Sequence, residues 1–143
     1  VNDRAVAWAN SHAADLVTQI DEATRNELNR VITTGIESGL DVGQIADSIH
    51  AMDAFSDKRA SLIAETEIAG AESQGALEGL RELAATTDLT IQKTWVVTDE
   101  ACDDCQDNED EGPIDLDDDF PSGDDAPPAH PNCRCALGYT TEE

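Results

Sequence analysis

Four cysteines and one histidine carry the chemistry legible in this chain. Cys102 and Cys105 form a C-x-x-C pair, and Cys133 and Cys135 follow in the run His130-Pro131-Asn132-Cys133-Arg134-Cys135. A C-x-x-C pair supplies two thiolates from one turn. A second cluster a few tens of residues later completes a tetrahedral shell for a structural zinc ion. Five donors are one too many for four positions. Either His130 or one of the last two cysteines stays outside the shell, or the histidine supports the ligands from behind. Two disulfides are the rival reading, favoured by oxidising surroundings. A redox C-x-x-C lacks here the strand-to-helix setting that thioredoxin provides. The nearby acids Asp99, Asp103 and Asp104 are expected to raise the thiol pKa values and to slow metal uptake at low salt.

A catalytic metal is not indicated. Hydrolytic zinc keeps an open position beside a general base, whereas this donor set is sulfur-rich and closed. The deaminase order, His-x-Glu before Pro-Cys-x-x-Cys, is reversed here, and no glutamate adjoins His130. Asp107, Glu109, Glu111 and Gly112 suggest a calcium loop only superficially, since Pro113 falls at its seventh position and the third and fifth residues are of the wrong type. His12 and His50 lie in helical segments without a nucleophile beside them. No glycine-rich phosphate loop and no Ser/His/Asp arrangement occurs, so the sequence predicts no enzyme and no small-molecule substrate.

The elements that must position these residues can be read from periodicity. Ala13, Leu16, Val17, Ile20, Leu28, Val31 and Ile32 recur at helical spacing and predict one long amphipathic helix over 5–34. Asp41 and Gln44 form a capping box before a short helix whose buried stripe is Val42, Ile45, Ala46 and Ile49. A third helix is predicted from Ser56 to Ala85, with small residues (Ala60, Ala64, Ala71, Gly75, Ala76) on a face suited to tight helix packing. Residues 89–97 alternate and are β-branched, which predicts a strand with Ile91, Trp95 and Val97 on one side. From Thr98 the chain turns to aspartate, proline and glycine, and no regular structure is expected there. A second strand around Arg134–Thr140 is predicted to pair with the first. The expected fold is therefore α+β. A mainly α-helical part of about three helices (1–88) precedes a β-hairpin and zinc-knuckle module (89–143) stapled by the Cys/His site.

Charge narrows the partners. The 143 residues hold 32 acids against 8 bases, a formal net charge of −24. The excess extends over the helices as well as the tail, and only Lys58 and Lys93 are lysine. That composition points to adaptation to molar salt, where the Debye length falls to roughly 3 Å and self-repulsion is screened. It disfavours binding to nucleic acid, because no basic patch is present to release phosphate counterions. No apolar run is long enough to span a membrane. Aromatics are only 3% of the residues, so the core must rest on Ala, Leu, Ile and Val, and such thin cores commonly need a staple. The chain starts at Val1 without a legible signal peptide and reads as a processed or excised piece of a longer protein.

Three stretches resemble the Mu F-like head-morphogenesis (minor capsid) proteins of tailed viruses. They are Arg59-Ala60-Ser61-Leu62-Ile63-Ala64-Glu65-Thr66-Glu67 with Gly75 following, Lys93-Thr94-Trp95 leading to Asp99 and the first cysteine pair, and Pro127-Pro128-Ala129-His130-Pro131-Asn132-Cys133-Arg134-Cys135. Glu65 departs from the family pattern, which has arginine there. The resemblance implies a virion structural protein, present in few copies in the capsid interior or at the portal vertex and in the host cytoplasm during assembly. Its partners would be the portal and other capsid proteins, with at most a weak contact to viral DNA and a role in packaging or ejection. A salt-loving host would account for the acid. The alternative is a delivery or scaffold module of a toxin whose catalytic domain lies outside this chain. Trp95, Asp99 and Arg134 are expected to support the metal site, Arg134 by bonding to nearby carbonyls or carboxylates.

Overall fold

The computed structural model describes residues 3–98, 101–131 and 133–142. Four helices come first: α1 (Asp3–His12), α2 (Glu22–Glu37), α3 (Val42–His50) and α4 (Asp57–Thr86). Strand β1 (Thr90–Val96), helix α5 (Asp103–Asp110), strand β2 (Ile114–Asp115) and strand β3 (Ala136–Glu142) follow. The class is α+β, as the sequence predicted, with a helical first part and a small antiparallel sheet near the C-terminus.

The helical core forms where α1, α2 and α3 lay apolar stripes on α4. Leu28 and Ile32 of α2, Ile45 and Ile49 of α3, and Ala60 and Ala64 of α4 are all at most 1% exposed. The capping box is present, with the Gln44 amide donating to Asp41 Oδ1 at 2.8 Å and Asp41 N–H to Gln44 Oε1 at 3.0 Å. The small face of α4 serves tight packing, since Ala60, Ala64 and Ala71 are buried in this core.

The single helix expected over 5–34 is two, so the helical part holds four helices rather than about three. The chain breaks where Ala14 turns to φ 75° and Gln19 to φ 62°. Asp21 then caps α2, accepting from the Thr24 amide at 2.7 Å. Periodicity hid the break because the turn buries Ala13, Ala14 and Val17 in the same core. The carbonyls left over at the end of α1 also find partners. Asn29 Nδ2 donates to Ala9 O at 3.2 Å and Ala13 O at 3.1 Å, and the Arg25 guanidinium donates to Ala14 O.

In the sheet the strand order is β2-β1-β3, all antiparallel. β1 pairs with β3 from Thr90↔Glu142 to Val96↔Ala136, which confirms the expected pairing. Residues 97–135 separate the two strands, so the pair is not a tight hairpin, and a third short strand joins on the far side of β1. The Asp/Pro-rich segment also carries regular structure that composition concealed. α5 is almost wholly polar, yet Asp103 and Asp104 occupy its first turn, where carboxylates complement the helix dipole.

Candidate metal centre

The five expected donors come from two pieces of backbone. Cys102 is the N-cap of α5, Cys105 lies in its first turn, and His130, Cys133 and Cys135 come from the segment entering β3. Two three-membered groups result: Cys102, Cys105 and His130, and Cys105, Cys133 and Cys135. Within each group the ligand atoms all lie within 4.8 Å of one another. Cys105 belongs to both. Its Sγ lies 3.7 Å from His130 Nε2 and 3.7 Å from Cys133 Sγ, and Cys102 Sγ is 3.2 Å from His130 Nε2.

These three distances are close to the edges of a tetrahedral metal shell, while no four of the donors lie within 4.8 Å of one another. Bonds of about 2.3 Å to sulfur and about 2.05 Å to nitrogen give tetrahedral edges of about 3.8 Å between sulfurs and about 3.5 Å between sulfur and nitrogen. All four cysteines are free thiols. The orientation of His130 suits a ligand as well. Its Nδ1 pairs with the Pro131 carbonyl at 2.8 Å, which places the proton there and turns the Nε2 lone pair toward the sulfurs.

The electrostatics divide the thiols. The Cys105 amide is the largest influence on Cys102 and holds its pKa below the ordinary thiol value, although no cap hydrogen bond of standard geometry forms. Cys133 is also lowered. Burial is the largest single influence and opposes this, but hydrogen bonds from the Cys135 and Ala129 backbone and from the Cys135 and Cys105 side chains together outweigh it. Burial pushes Cys105 strongly up and Cys135 up. Backbone amides, rather than the aspartates, are therefore the main local influence on Cys102. His130 is raised, chiefly through its bond to Pro131.

Of the expected supports, Trp95 lies in the wall of the site, 2% exposed and edge-on to Phe120 at 5.1 Å. Its indole N–H makes no standard hydrogen bond, and the Cys135 sulfur it faces is favoured as thiolate by that donor. Arg134 reaches one carboxylate, Glu65 Oε2 on α4, at 3.4 Å; both side chains are substantially exposed to solvent. The glutamate that replaces the expected arginine thus meets the one base of the knuckle. Asp99 lies outside the described residues.

Three residues that hold the loop in place had no legible role in the sequence. Lys93 is fully buried, donates to Asp125 O at 2.8 Å and lies over the Phe120 ring at 5.3 Å. Asn108, also fully buried, clamps α5 to the following turn by donating to Ser122 Oγ at 2.8 Å and accepting from the Ser122 amide at 3.0 Å. Arg81 ties α4 to the loop through Asp117 at 3.1 Å and Leu116 O at 3.3 Å. Lys93 was legible only as part of the Lys-Thr-Trp resemblance.

Residues 26–138 match the model of the family described as phage Mu protein F-like. No curated protein and no solved structure matches the chain significantly.

Proposed function

The chain belongs to the phage Mu protein F-like family, and on that premise we propose that it is a minor structural protein of a tailed-virus head. It acts without catalysis, in association with the portal or the inner capsid during head assembly, with a further role in packaging or ejection. The observation that carries this reading is the family match, which runs from within α2 through α3, α4 and β1 to the Cys/His segment. No helix among the described residues is long and apolar enough to cross a membrane.

Within that role the centre binds one structural zinc ion drawn from Cys102, Cys105, His130, Cys133 and Cys135. Trp95 bears on it from β1, and Arg134, between two of the donors, ties it to Glu65 of α4. The zinc closes residues 89–143 as a unit distinct from the helices of 1–88. The support is chemical: a thiol-rich donor set in two three-membered groups that share Cys105, a histidine of fixed tautomer, and a small aromatic core around them. Chelation in molar salt is expected to make residues 101–135 sensitive to protease while the helical circular dichroism persists. A reductant alone is expected to leave the loop intact. Release by reductant alone would instead establish disulfides.

The acidic surface belongs to a virus of a salt-loving host, where contact with DNA is weak. Quantitative mass spectrometry of purified particles tests the role. A low copy number in step with the portal is expected. Absence from particles, with the chain found in infected or secreting cells, would favour a toxin-delivery module.

A further inference from the structure

A cavity of 220 Å³ lies between α1, the turn after it, α4 and the segment before His130, away from the thiols. One wall is aromatic. The Trp8 and His12 rings stack at 5.1 Å with an interplanar angle of 7°. Pro128 closes in beside them over Gly70, where a Cβ would lie 3.2 Å from Trp8 and 3.3 Å from Pro128. Glycine keeps this passage open.

Four acids, Asp15, Glu67, Asp124 and Asp125, stand among the otherwise apolar and neutral side chains of the remaining lining. Glu67 is only 4% exposed, and its Oε1 has no hydrogen-bond partner. Asp15 and Asp124 line the same cavity. A buried carboxylate oxygen without a partner is costly, and such atoms in folded proteins call for an explanation. His12 is the only basic side chain in this lining.

The missing partner is a cation, and its shape can be narrowed. Among the described residues, no three carboxylate or imidazole atoms of this cavity come within 4.8 Å of one another. The carboxylates are thus too dispersed for a chelated metal ion, while an extended, planar cation can reach several of them. A guanidinium has five N–H donors in one plane and stacks on aromatic faces, whereas an ammonium is a compact point charge. The volume suits one long side chain rather than a drug-sized molecule.

We propose that this cavity receives an arginine side chain presented by a partner protein, with its guanidinium against the Trp8–His12 stack and its N–H groups shared among Glu67, Asp15 and Asp124. Because the Glu67 carboxyl is sealed beneath the rim, binding rotates that side chain so that Oε1 meets the cation. The partner is therefore locally basic, which complements the net charge of −24. This assignment is independent of the zinc centre and of the head-assembly role.

The test is an NMR titration of the full chain with N-acetylarginine amide, in about 1 M potassium chloride to screen unselective counterion attraction. The lysine and citrulline analogues serve as controls. Saturable shifts at the Trp8 indole and the Gly70 amide are expected with arginine, weaker ones with lysine and none with the neutral citrulline. Glu67→Gln is expected to weaken arginine binding about tenfold, as for a lost charge-assisted hydrogen bond. Asp15→Asn provides an independent, less buried probe and is expected to weaken it less. Equal responses to arginine and citrulline, shifts spread over all acidic segments without saturation, or wild-type affinity in both variants would overturn the proposal.

Discussion

Cys105 is the residue on which the metal centre turns, because both donor groups include it. Cys105→Ser is expected to abolish zinc binding, measured as zinc per chain after dialysis. Cys102→Ser and Cys135→Ser each leave one three-membered group whole and are expected to retain zinc with lower affinity. If Cys105→Ser bound zinc as well as either of these, a set without Cys105 would be the ligand shell. The five candidate donors were legible in the sequence because thiol and imidazole spacing is itself the chemical signal. Glu67 was not, since an acid on a helix with this much acid reads as solvated. Only the packing of the Ala14 turn against α4 seals it. Lys93 was hidden for the same reason: a lysine in an alternating strand gives no sign that a carbonyl and an aromatic ring await it inside.

At the scale of elements, two contacts set how the helices meet. A Cβ on Gly35 of α2 would lie 2.6 Å from Ile45 Cγ1 of α3. Gly35→Ala is expected to cost about 1–3 kcal/mol through overpacking, against the small gain in helix propensity. Denaturant unfolding of the zinc-loaded chain measures it. The second contact is Glu67 beneath the α1–α2 turn. Burial pushes its pKa from 4.5 up to about 7, with Asp15 adding to the rise and the Ala14 amide opposing it. The folded form therefore holds its proton more tightly than the unfolded chain does. Stability from this group is complete below about pH 4.5, falls as pH rises, and is lost above about 7. Glu67→Gln is expected to flatten that fall and to be more stable than wild type above pH 7, with His12, Asp124 and Asp125 of the adjoining cavity unchanged. Unfolding midpoints from pH 5 to 8 that run parallel for the two proteins would refute this. Helices α3 and α4 and strand β1 were legible because caps and periodicity agreed. The break at Ala14 was not, because a buried turn preserved the helical pattern of apolar residues.

For the whole molecule the dominant quantity is charge. Arg4 with Glu82 of α4, and Arg81 with Glu78 and Asp117, are among the few places where acid meets base. Such exposed pairs stabilise little, so most of the acidic excess remains uncompensated. Thermal unfolding followed by circular dichroism is expected to rise steadily in midpoint from about 0.1 M to about 2 M potassium chloride, as screening removes self-repulsion. A midpoint independent of salt would mean that bound cations or a different charge state already neutralise the surface. Composition showed this much. It could not show that α5 and β2 organise the acidic segment, because their order rests on the Asn108 clamp to Ser122 and on Lys93 and Arg81 acting from β1 and α4.

The placement of β1 and β3 on either side of the metal loop has a consequence in time. During synthesis β1 leaves the ribosome with Trp95 ready for burial, while its partner strand and the last two thiols trail it by residues 97–135. At about 5–20 residues per second that interval is on the order of several seconds. Through it, a tryptophan-bearing edge and a bare C-x-x-C pair wait together without their partners. The nascent chain is then exposed to whatever metal, oxidant or neighbouring strand arrives first.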